Sequence, residues 1–144
     1  MIIDERSKFI KKFKLNSNIN KFVFAKTLFA MNAYIDNKFL NLVANTIINR
    51  FIVEIEISDD IPSVISILTS FDCWKNLKFM DSIDINNENF QKCLKVASEV
   101  LSGKLNENFS SVLSFHKKSE SHLLTNNIQP KFEMNGFAFF DVYI

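Results

Sequence analysis

Apolar residues recur at helical spacing through FAKTLFAMNAY, at positions 24, 25, 28, 29 and 31, and predict a helix over 24–34. The pattern is stronger from Asn37 to Phe51, where Phe39, Leu40, Val43, Ala44, Ile47, Ile48 and Phe51 form one broad stripe, the mark of a buried helix. VEIEI at 53–57 alternates apolar and acidic residues, which suits either a short strand or a continued helix. A third helix is predicted from SDDIPSV, with Asp59 and Asp60 as caps and Pro62 near the first turn, ending before Phe71. A fourth covers Asn87 to Ser102, burying Phe90, Cys93, Leu94, Ala97, Val100 and Leu101, with Gly103 as its C-terminal cap. SVLSFH at 111–116 reads as a strand. KFEMNGFAFFDVY reads as a hairpin turning at Asn135 and Gly136, the pair preferred for a two-residue type I′ turn. Helices followed by strands predict an α+β domain, a small helical bundle packed against a short antiparallel sheet at the C-terminal end.

Composition supports one core. The chain has 144 residues, 47% of them hydrophobic, which is ample for a single domain. Sixteen Phe beside two Gly and two Pro indicate a biased composition, so single Phe residues carry little functional weight. No repeat or low-complexity block divides the chain. Residues 1–23 read as a basic N-terminal arm and 24–144 as one domain. Lys8, Lys11, Lys12 and Lys14 make the arm either a surface-binding segment or a solvated tail. A net charge of +1 does not provide the positive field that phosphate backbones require, which argues against nucleic acid as a partner. The N-terminal stretch lacks the apolar run of a secretory signal, and no stretch is long and apolar enough for a transmembrane segment. Action outside the cytoplasm would need another route.

Cys73 and Cys93 can form a disulfide or remain two buried thiols; sequence leaves both open. No His/Cys cluster has metal-ligand spacing, and no motif calls for a cofactor.

Several strings, taken in order, resemble the SleB-type cell-wall hydrolases, a family of spore-cortex-lytic and phage or bacterial peptidoglycan hydrolases. VANTIINR at 43–50 is similar to the family's Val-Ala-Asn-x-x-x-Asn-Arg helix end. DIPSVISILTSFDCW resembles its Pro-x-x-[Ile/Val] helix leading into Gln-Phe-Ser-Cys-Trp, which includes Phe71 and Trp74. FQKCLKVASEVLSGKL resembles its long helix ending in Gly, SFHKKSE its Phe-His strand, and NGFAFFD its closing strand. The resemblance spans residues 24 to 140 and implies a domain acting on peptidoglycan glycan strands by acid-assisted cleavage.

The family's first helix ends in Tyr-Gly-Glu-Ala-Arg-Gly-Glu, whose first Glu is taken as the catalytic acid. Carried over without gaps, that Glu falls on Met31, and a thioether has no proton to give a departing glycosidic oxygen. Only His116 of the family's two strand histidines has a counterpart. Three carboxylates are substitutes to weigh. Asp36 is five positions beyond Met31, about 140° away on a continuous helix, and needs a helix break to return. Glu54 and Glu56 would share one face of a strand, about 7 Å apart, although alternating charge usually marks a solvent face. Trp74, His116 and Tyr34 are the saccharide-facing residues implied. For Trp74 the alternative is a core anchor, and for His116 a strand end near solvent. Asn49 and Arg50 read as a polar cap at the end of the second helix. Two functions follow: a glycan-cleaving cell-wall hydrolase, or a non-catalytic glycan-binding or structural envelope or phage protein on the same fold. An unrelated α+β interaction domain is the third reading.

Overall fold

The computed structural model describes residues 8, 10, 11, 15–57, 67–104, 109, 111–119 and 128–142. The chain is α+β: among the described residues, four helices of six or more residues are followed by a three-stranded antiparallel sheet.

Helix α1 (Asn18–Ala30) starts where Ser17 accepts a hydrogen bond from the Asn20 amide, inside the stretch read as an arm and ahead of Phe24. Ile10 and Leu15 are buried just before it, while Lys8 and Lys11 are exposed; Lys12 and Lys14 lie outside the described residues. The helix ends at Ala30, short of Tyr34. Asn32 adopts a left-handed conformation (φ 57°), which a short polar side chain tolerates, and a 3-10 turn follows at Ala33–Ile35.

Helix α2 (Asn37–Ile57) runs through VEIEI, so this segment is not a strand. No Gly or Pro interrupts VEIEI, and no partner strand lies beside it among the described residues. Every residue from Leu42 to Asn49 is buried, so α2 is enclosed rather than striped. Its polar residues are accommodated locally: Asn45 donates to the Asn41 carbonyl and Thr46 to that of Leu42, both at 2.7 Å. Asn49 is therefore not at a helix end. Its Nδ2 donates to the carbonyls of Phe109 (2.9 Å) and Val112 (3.0 Å) and fixes the turn leading into the sheet.

The predicted helix start at Asp59, Asp60 and Pro62 lies outside the described residues; the helical turn at 67–68 does end before Phe71, as expected. A short helix α3 (Leu77–Ser82), capped by Asn76, was not legible in the sequence. Helix α4 (Glu88–Leu101) is capped by Asn87 and buries Phe90, Cys93, Ala97, Val100 and Leu101 against α1 and α2, with Leu94 half-buried. Gly103 (φ 95°) closes it: its amide bonds Val100 and the Lys104 amide bonds Glu99, the paired pattern of a left-handed terminus.

Strands β1 (Ser114–Lys117), β2 (Phe132–Met134) and β3 (Phe137–Phe140) lie in the order β1-β3-β2. Asn135 and Gly136 both have positive φ (51° and 82°), as the type I′ turn requires. Phe115 pairs with Phe139, and Phe137 stands two residues away on the same face. Phe39 of α2 meets both Phe137 and Phe139 at 5.8 and 6.1 Å between ring centres, and Phe71 stacks on Phe115 at 5.9 Å. The Phe content thus forms an aromatic layer joining sheet, α2 and the turn after residue 67.

Candidate functional site

The layer leaves a pocket of about 450 Å³ beside β1, bounded by α2 and the 67–71 turn and lined by Thr46, Ile47, Arg50, Glu54, Ile67, Ser70, Phe71, Ser114, Phe115 and His116. Arg50 and Glu54 are one helical turn apart on α2, with Arg50 Nε 3.4 Å from Glu54 Oε1; their side chains are 31% and 25% exposed, so the pair stands at the mouth. Phe71 and Phe115 form the apolar wall. His116 enters from β1 with its Nε2 buried and its ring 6.2 Å from that of Phe140.

Three separate stretches meet here. Thr46, Ile47 and Arg50 come from VANTIINR, Ser70 and Phe71 from the string ending in Trp74, and Ser114 to His116 from SFHKKSE. Arg50, read as part of a cap, faces the pocket because α2 continues beyond it. The same continuation separates Glu54 from Glu56. At about 100° per residue they diverge by about 200° around the helix, so they cannot share a face. Glu54 lines the pocket and is the one carboxylate that does so among the described residues.

The other expected residues are elsewhere. Asp36 precedes α2 in extended conformation, where its Oδ1 accepts from the Phe39 amide at 3.0 Å; it is exposed and serves as an N-cap. The chain leaves helical conformation at Asn32 and again at Asp36, which lies extended between the 3-10 turn and α2, yet this break does not bring Asp36 to the pocket. Met31 is the C-cap of α1, half-buried against the core. Tyr34 stacks on Phe29 at 5.2 Å and its hydroxyl bonds Asn32 at 3.3 Å. Trp74 lies outside the pocket lining: its indole Nε1–H donates to Thr27 Oγ1 at 2.9 Å, tying the 3-10 turn Asp72–Lys75 to α1.

Cys73 and Cys93 are both free thiols. Burial pushes the Cys93 thiol up to about 12, and burial also raises that of Cys73. No group of three or more His, Cys, Asp or Glu able to hold a metal occurs among the described residues. No helix among them is long and apolar enough to cross a membrane.

Sequence reasoning missed Thr46, Ser70, Phe115 and Ser114 as pocket residues. The signal available for Arg50 and Glu54 was their i, i+4 spacing, which has meaning only once the helix is known to continue.

Compared with known proteins, the chain matches no family model, no curated protein and no solved structure.

Proposed function

We propose that this protein is a non-catalytic binder of glycan strands, with peptidoglycan as the target, and that the pocket between α2, β1 and the 67–71 turn receives one sugar unit. The observation that carries the reading is the convergence of three of the sequence strings similar to the cell-wall hydrolases on this one pocket. Its chemistry suits a sugar. Phe71 and Phe115 offer an apolar wall for a ring face, while Arg50, Glu54, His116 and three hydroxyls offer polar contacts for the ring substituents. Its volume of about 450 Å³ lies within the usual range of small-ligand pockets.

Binding is favoured over cleavage by the supply of acids. Met31 stands outside the lining and Asp36 is occupied as a cap, which leaves Glu54 against Arg50 as the sole lining carboxylate among the described residues. Paired-carboxylate cleavage needs a second.

The test is co-sedimentation with purified peptidoglycan sacculi, with soluble fragments measured in the same tubes. Wild type should be retained without releasing fragments. Arg50→Ala and His116→Ala, shown to be folded by circular dichroism, should each lower retention about tenfold. No retention of wild type would overturn the reading, and release of fragments that Glu54→Gln abolishes would replace it with a glycan-cleaving enzyme using Glu54.

A further inference from the structure

Asn135 is the only asparagine of the chain that is followed by glycine. Such a pair has a reactivity of its own. The amide nitrogen of the following residue can attack the asparagine Cγ, and glycine has no Cβ to crowd the approach. Ammonia leaves, a five-membered cyclic imide forms, and water reopens it. Opening at Cγ gives aspartate. Opening at the former backbone carbonyl gives isoaspartate, with the chain routed through the side chain and lengthened by one methylene. In sum, one water is consumed and one ammonia released for each amide converted to a carboxylic acid. Asn135 and Gly136 are both exposed, and nothing lies within 4 Å of a Cβ built on Gly136, so solvent reaches the reacting atoms.

The conformation of the turn opposes the reaction. The imide ring joins Gly136 N to the carbonyl carbon, Cα, Cβ and Cγ of Asn135, so the nitrogen must eclipse Cβ. Asn135 (φ 51°) and Gly136 (φ 82°) form a type I′ turn instead. At the ψ of about +30° that such a turn gives its first central residue, the nitrogen stands about 150° around the Cα–C bond from Cβ. Neighbouring contacts hold it there. Met134 pairs with Phe137, and the Lys118 amide donates to the Gly136 carbonyl at 2.8 Å. Phe137 in turn packs against Phe39 and Phe115, at 5.8 and 5.9 Å between ring centres. Turning Asn135 into reach of the Gly136 nitrogen therefore requires the hairpin to open.

We infer that Asn135 is a modification site, converted by water to isoaspartate or aspartate through a cyclic imide, and that the closed hairpin holds this reaction back. Opening of the hairpin sets its rate. The two products differ in consequence. Asp-Gly suits a type I′ turn as Asn-Gly does, so the aspartate form closes again. The added methylene of isoaspartate alters the two-residue loop and displaces Met134 from its place opposite Phe137. That form loosens Phe137 from the aromatic layer, and with it the Phe115 wall of the pocket.

The experiment incubates the full chain at neutral pH in buffer, in a series of sub-denaturing urea concentrations and in denaturing urea. Peptide mass spectrometry then follows the exchange of amide for acid at each asparagine. In denaturing urea Asn135 should react first; another asparagine reacting before it overturns the site. In buffer it should react at least about tenfold more slowly, and the rate should climb through the sub-denaturing series as the hairpin opens. An equal rate in buffer and denaturant, or a rate that stays flat across the series, means that the closed turn itself reacts and overturns the gate. Asn135→Asp should give the wild-type pattern of amide NMR shifts across the 114–140 sheet. The isoaspartate form, separated by ion exchange after ageing in urea and refolded, should lose it; a wild-type pattern there overturns the distinction between the products.

Discussion

The indole of Trp74 donates its Nε1–H to Thr27 Oγ1 at 2.9 Å, across 47 residues of chain, while the Thr27 hydroxyl donates in turn to the Val23 carbonyl at 2.8 Å. Trp74 therefore holds the 3-10 turn after Phe71 onto α1, and Phe71, the residue before that turn, reaches the pocket. Trp74→Phe keeps the ring and removes the donor. It should lower stability by about 1 kcal/mol in urea unfolding. Retention on sacculi should stay near wild type, since the indole does not line the pocket.

Asn49 is the polar pin of the enclosed helix. Its Nδ2 donates to two carbonyls, those of Phe109 and Val112, at the entrance to the sheet. Asn49→Leu strands two buried acceptors, so we expect a loss of about 3 kcal/mol by chemical denaturation. Asn49→Asp should be no better, because a carboxylate oxygen replaces the donor.

The Arg50–Glu54 pair should contribute little to stability. It is partly exposed, its contact is 3.4 Å, and such pairs are worth about 0 to 1 kcal/mol. A double-mutant cycle with Arg50→Ala and Glu54→Ala should return a coupling below about 1 kcal/mol, while retention on sacculi falls in each single variant. A large coupling would make the pair structural.

Met31→Glu places an acid where the resemblance to cell-wall hydrolases expects one. Because Met31 caps the C-terminus of α1 outside the pocket, no fragment release should appear. A carboxylate at the negative end of a helix should cost about 1 kcal/mol, measured as a lowered urea midpoint.

Cys93 gives a pH dependence with a definite sign. Its thiol rises from the ordinary 9.0 to about 12 on folding because burial disfavours the thiolate. The folded state then holds a proton that the unfolded chain releases, so this contribution is present below about pH 9 and is lost as pH rises from about 9 towards 12. At neutral pH, alkylation should label Cys73 before Cys93, read by mass spectrometry. Faster labelling of Cys93 would contradict its place in the core.

Much of the fold was legible in local pattern. The Asn135-Gly136 turn, the Gly103 terminus and the apolar face of α4 each rest on one residue type or one repeat doing one conformational task, and each stands where it was expected. The alternation of VEIEI was ambiguous because four or five residues suit either period, and its membership of α2 depends on contacts outside the segment. That single difference moved Arg50 from a helix end to a pocket wall and parted Glu54 from Glu56.

By itself, the sequence determined the α+β order of elements, the hairpin and the Gly103 helix terminus, since these follow from backbone preferences and short-range hydrogen bonds. Tertiary structure alone decided which polar residues meet. Arg50 and Glu54 on α2, Ser70 on its turn and His116 on β1 are separated by up to 66 residues of chain and share no local signal. They come together because the aromatic layer of Phe39, Phe71, Phe115, Phe137 and Phe139 draws the outer strand and the turn against an enclosed helix, and burial of that apolar surface acts at any sequence distance.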